Sequence, residues 1–111
     1  MLLTSRLWNR LRANAEQSSS RCRDHFPVVK LFTPDGNATW LFTELMPDGD
    51  TLYGLCDLGI GCPELGYASL AELSAVRGCL GLLVERDRHF HPTKPLSDYA
   101  EEARLTGRVV A

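Results

Sequence analysis

The chain lacks any long hydrophobic run, and its longest apolar stretch falls far short of the ~20 residues that span a bilayer. Its first fifteen residues hold no unbroken apolar block of the kind a secretory leader needs, so export is not expected. Cysteine is sparse, with Cys22, Cys56, Cys62 and Cys79 only, and no two stand as Cys-x-x-Cys. The closest spacing, Cys56 to Cys62, is wider than a zinc knuckle uses. Without export these thiols are expected reduced, as small buried hydrophobes in a cytoplasmic protein, and no metal or other cofactor is expected. Nine glycines and six prolines follow no period, which excludes fibrous and low-complexity classes.

Positive charge is also missing where most of the chain lies. Residues 31–76 contain no Lys or Arg, yet hold Asp35, Glu44, Asp48, Asp50, Asp57, Glu64 and Glu72. The bases concentrate earlier, at Arg6, Arg10, Arg12, Arg21, Arg23 and Lys30. An acidic middle beside a basic leading segment is therefore expected, with the two attracting each other. A basic arm that touches phosphates is the sharper alternative. Trp8 alone interleaves the arginines, a thin aromatic content for gripping nucleic acid.

What is present fits one domain over 1–111. The length of 111 residues, 44% apolar and 23% charged content, and a net charge of −2 describe an ordinary globular chain. Thr4 can cap a helix over 5–17, in which Leu3, Leu7 and Leu11 form one stripe with Trp8 beside it. Ser18-Ser19-Ser20 then reads as a linker. Strands follow at Val28–Thr33, Thr39–Met46 and Thr51–Leu58, joined by two turns of one chemistry, Pro34-Asp35-Gly36-Asn37 and Pro47-Asp48-Gly49-Asp50. Short turns of this kind imply an antiparallel meander. Gly59-Ile60-Gly61-Cys62-Pro63 makes a bend, and Glu64–Ala68 a short fourth strand. Ser69 and Glu72 form a capping box for a helix over about 70–77 that uses Leu70, Leu73 and Val76, with Gly78 near its end. Leu82–Glu85 reads as a further strand. Ser97 can cap a last helix over about 98–105, stopped by Gly107. The fold class is α+β: an antiparallel sheet of four to five strands over about 27–86, packed with an N-terminal amphipathic helix and two short helices.

Chemistry-bearing residues are few. Glu85-Arg86-Asp87-Arg88-His89-Phe90-His91 is the richest polar run. If it stays extended, His89 and His91 face one side, and Asp57, Glu64 or His25 would be the candidate third metal ligands. Arg86 can meet an anionic group bidentately. Asp57 and Glu64 flank the double-glycine bend, where two carboxylates can do acid–base work or stay solvated. Asp24-His25 is too close in sequence to orient as a dyad. No local signature gives Cys56 or Cys79 a base.

The chain resembles a small bacterial family known only as a domain of unknown function. The resemblance rests on Asp24-His25-Phe26-Pro27-Val28-Val29-Lys30-Leu31-Phe32, Ala38-Thr39-Trp40-Leu41-Phe42-Thr43-Glu44-Leu45, Gly54-Leu55-Cys56-Asp57-Leu58-Gly59, Pro63-Glu64-Leu65-Gly66, Ser69-Leu70-Ala71-Glu72-Leu73, Val84-Glu85-Arg86-Asp87 with His89-Phe90, and Lys94-Pro95-Leu96-Ser97-Asp98-Tyr99. His91 is not part of that pattern. The resemblance implies an origin on plasmids and conjugative or other mobile elements and an accessory role in the cytoplasm. It brings no activity, cofactor or catalytic residue. The expected function is a non-catalytic module that binds a protein, with Asp57, Glu64, Arg86 and His89 as binding residues and no membrane contact. The alternative is a small metal-assisted hydrolase or nuclease-like enzyme using Asp57, Glu64 and His89. The module requires these ionisable side chains to point outward.

Overall fold

The structure, a computed structural model, describes residues 2–21 and 23–111. Its elements are α1 (Ser5–Ser20), β1 (Val29–Phe32), β2 (Thr39–Leu45), β3 (Thr51–Asp57), β4 (Glu64–Ser69), α2 (Leu70–Ala75), β5 (Glu85–Arg86) and α3 (Leu96–Thr106). The strands form one antiparallel sheet in the order β4-β3-β2-β1-β5. No helix among the described residues is long and apolar enough to cross a membrane.

The sheet separates two apolar layers. On one face Leu3 and Leu11 of the α1 region meet Val29, Leu31, Trp40, Phe42, Leu45 and Leu52. On the other, Leu96, Tyr99 and Ala103 of α3 and Val109 meet Leu41 and Leu55. The amphipathic first helix thus docks on its own sheet, and each leucine fully buried there contributes about 1.5–3 kcal/mol. Gly54 is required where β2 and β3 approach, because a Cβ there would stand 1.9 Å from the Leu41 carbonyl oxygen. The register shifts between Phe42 and Glu44, a bulge in β2.

Thr4 caps α1 as expected, its Oγ1 accepting from the Leu7 N–H at 3.2 Å. The helix runs on to Ser20, so Ser18–Ser20 is helical and not a linker. Serine is a poor helix former, but here Ser19 and Ser20 donate back to the carbonyls of Glu16 and Gln17, and Ser18 donates to Glu44 on β2. The Ser69 cap is present, its hydroxyl accepting from the Glu72 N–H. That helix ends at Ala75, which leaves Val76 exposed as its C-cap. The last helix begins at Leu96, after Pro95. Ser97 therefore lies inside the first turn, and its N–H and hydroxyl both donate to Asp24, a cap supplied from 73 residues away. Gly107 ends α3 in the left-handed region at φ 81. The strand expected at Leu82–Glu85 is instead Glu85–Arg86, and Leu82 and Leu83 face solvent.

Candidate functional site

Register fixes which side each expected site residue takes, because directly opposed residues of an antiparallel pair share a face. Arg86, Leu31, Trp40, Cys56 and Glu64 form one row across all five strands, on the α1 side. Glu85, Phe32, Thr39 and Asp57 form the next row, on the α3 side. Arg86 and Glu64 thus stand at opposite edges of the sheet, and Asp57 lies on the other face from both. His89 follows β5 in a turn, not an extended segment, so His89 and His91 are not aligned as neighbouring strand ligands. Asp87 Oδ1 accepts from the His89 N–H at 2.9 Å and shapes this turn.

Asp57 points inward and is only 3% exposed. Its Oδ1 accepts from the Gly59 N–H at 2.8 Å and its Oδ2 from the Val109 N–H at 2.9 Å. The carboxylate shapes the glycine bend and holds the segment after α3 against the sheet. Glu44 is likewise buried, in contrast to the outward orientation expected for the acids of the middle segment. Glu64 is exposed on the outermost strand. Arg86 donates to the Leu2 carbonyl at 2.5 Å and so tethers the chain before α1. Lys30 sits between Asp87, 3.6 Å away, and the Ala111 carbonyl oxygen at 2.7 Å.

A hollow of about 1300 Å³ touches Asp57, Arg86 and His89 but not Glu64. It exceeds the ~300–1,000 Å³ usual for ligand sites, and its lining comes from both faces of the sheet. Leu2 lines one side, and Thr39 with Arg108 the other. A smaller space of about 390 Å³ lies among His89, His91, Lys94 and Tyr99. Among the described residues no group of three or more His, Cys, Asp and Glu side chains gathers in a way that could hold a metal ion.

One polar cluster has no sequence signature. His25 Nε2 lies 3.2 Å from both the Ser18 hydroxyl and the Asn14 carbonyl, and Ser18 donates to Glu44 Oε2 at 3.2 Å. A serine beside an imidazole invites a nucleophile–base reading. The Asn14 carbonyl only accepts, however, so Nε2 carries the proton and cannot take one from Ser18. The relay ties α1 to β2 and to the segment before β1. Asp24 and His25 accordingly diverge, one to α3 and the other to α1.

Cysteine placement also differs from expectation. Cys62 and Cys79 are exposed and Cys56 is half-buried, where burial pushes its thiol above the ordinary 9.0. Cys22 lies outside the described residues. On α1, Arg12 is committed to the Leu45 carbonyl and to Glu16, while Arg6 and Arg10 remain exposed.

The loop between α2 and β5 is held to the β1–β2 turn by hydrogen bonds. Asp35, in the β1–β2 turn, accepts from the N–H of Leu80 at 2.7 Å and of Leu82 at 3.2 Å through Oδ2, and its carbonyl accepts from Cys79 Sγ at 3.0 Å. The loop closes on itself through Gly78 N–H to Leu82 O and Gly81 N–H to Gly78 O, both 2.9 Å. Its leucines nevertheless face water, Leu80 at 79% and Leu82 at 48% exposure. Sequence reading missed this because Asp35 looked like an ordinary turn residue. The matching Asp48 is one: the Thr51 hydroxyl, with the Thr51 and Asp50 N–H groups, holds its carboxyl below the usual 3.8.

No curated protein and no solved structure matches this chain. A family match does extend over residues 2–110, nearly the whole chain. By that match the chain belongs to the family described as protein of unknown function (DUF2958).

Proposed function

We propose that this chain is a non-catalytic protein-binding module, working in the cytoplasm as an accessory of mobile-element biology. The observation that carries the reading is the Asp35-anchored loop. Its backbone is fixed by hydrogen bonds from within the domain, while Leu80, Leu82 and Leu83 stay outside the core. A loop ordered in advance loses less entropy on binding, and solvent-facing leucines gain most from being covered. Glu85, Arg88 and His89 stand next along the chain and are exposed, which supplies a polar rim to an apolar centre. Arg86 supports that rim from the α1 side, and Glu64 belongs to a separate surface at the far edge. The mobile-element setting rests on the resemblance alone.

The metal-assisted hydrolase draws on the hollow that Asp57 shares with His89. It also needs Glu64, which stands on the opposite face, and free oxygens on Asp57, both of which accept from backbone N–H groups. The module needs neither.

The test is paired affinity capture from bacterial lysate with wild type and with Leu80→Ser/Leu82→Ser, whose changed side chains lie outside the core. A protein retained by the wild type and lost by the variant is the expected result. Divalent-metal-dependent hydrolysis by the purified chain, abolished in His89→Ala, would replace this reading with the enzyme.

A further inference from the structure

The two edges of the sheet are treated differently. The β5 edge is two residues long and is followed by Asp87 and Arg88, features that discourage pairing with another strand. The β4 edge carries none of these protections. It spans six residues, Glu-Leu-Gly-Tyr-Ala-Ser, with no Lys, Arg or Pro and one acid at its first position. It matches β3 over six consecutive pairs, from Thr51–Ser69 to Cys56–Glu64, without a register shift. It is the terminal strand of the sheet, so its outer backbone has no strand partner within the domain.

We propose that two copies of this chain pair through β4, antiparallel about a twofold axis at Gly66, to give a ten-stranded sheet. The strand's own pattern selects a second copy. With Gly66 opposite Gly66, Leu65 of each copy faces Tyr67 of the other on the α3 side, and Glu64 faces Ala68 on the α1 side. The two large exposed side chains of the strand, Leu65 at 47% and Tyr67 at 66%, meet twice in one dimer. Any one-residue slip would place them on opposite faces. No like charges stand opposite, since the two Glu64 carboxylates lie about four residues apart along the seam, roughly 13 Å, beyond the Debye length. A Cβ at Gly66 would meet nothing within 4 Å, so the α1-side face of β4 is uncovered at the centre of the strand. Tyr67 is preset by its ring contact with Tyr53, centroids 5.1 Å apart. This dimer does not depend on the leucine loop, which sits toward the other edge.

Sedimentation equilibrium of the purified full chain tests it. The wild type is expected to approach twice its 12.4 kDa mass as concentration rises. Leu65→Lys/Tyr67→Lys, which sets like charges across the seam, should weaken self-association more than about 100-fold. Leu80→Ser/Leu82→Ser should leave it unchanged. A wild type that stays monomeric through the high-micromolar range overturns the proposal, and so does a dimer indifferent to the lysine pair. Should the lysine variant unfold, hydrogen exchange of the wild type decides: amides of 64–69 gain protection with concentration if β4 is the seam, and concentration-independent exchange there refutes it.

Discussion

Asp35 and Gly78, 43 positions apart in sequence, are packed so closely that a Cβ on residue 78 would lie 1.6 Å from Asp35 Oδ1. The glycine is what lets a turn carboxylate reach the Leu80 and Leu82 N–H groups beyond it. Asp35 Oδ1 is itself buried with no hydrogen-bond partner among the described residues, so the contact has no slack.

Gly78→Ala must therefore expel the Asp35 side chain and release the loop. The expected local cost is about 1–3 kcal/mol, the range for leaving such groups unpaired. Amide exchange at Leu80 and Leu82 should accelerate while the β2 and β3 amides keep their protection. Unchanged exchange at both leucines would show that Asp35 does not hold the loop.

Asp57 should behave as a structural latch. Asp57→Ala leaves the Gly59 and Val109 N–H groups without their partner and should lower unfolding free energy by about 2 kcal/mol in urea titration. Asp57→Asn keeps one accepting oxygen and should lose less. Two variants as stable as the wild type would contradict the latch.

The β2–β3 turn should weaken in acid. The Thr51 hydroxyl and the N–H groups of Thr51 and Asp50 favour the ionised form of Asp48. Because the folded value is depressed, the turn's contribution is present above the ordinary 3.8 and disappears as pH falls through the lower folded value. The Thr51 amide resonance should titrate with a midpoint below 3.8. A midpoint at or above that value would mean these bonds do not favour the carboxylate.

The thiols should separate by reactivity. In a Cys22→Ser background, Cys62 and Cys79 should react with an aromatic disulfide reagent at neutral pH well before Cys56, whose thiolate is disfavoured by burial. Comparable rates at all three would mean Cys56 is open to solvent.

Local signals in the sequence carried far. The Pro-Asp-Gly turns, the Thr4 and Ser69 caps, the Leu3-Leu7-Leu11 stripe and Gly107 each act within a few residues, and the antiparallel meander of β1 to β4 follows from them, whereas β5 reaches β1 by a crossover that no local signal marks. What sequence reading missed depends on contacts between distant segments. Ser97 was read as a cap when it is the group being capped by Asp24. Ser18–Ser20 looked like a linker until Glu44 gave Ser18 a partner on β2. Asp57 carries no local mark of its bond to Val109, 52 positions on. The site residues were scattered for the same reason. Side-chain alternation puts Asp57 and Glu64 on opposite faces although the two strands that carry them are neighbours, and no spacing rule reveals a register.

The central claim, that the Asp35-anchored leucines are a protein-binding surface, is tested most directly by placing a photo-crosslinking residue at position 80 of the chain expressed in bacteria, with position 101 on exposed α3 as control. A discrete adduct to one protein, formed from position 80 and absent from 101, is the predicted result. No adduct from position 80, or the same scatter of adducts from both positions, would contradict the account.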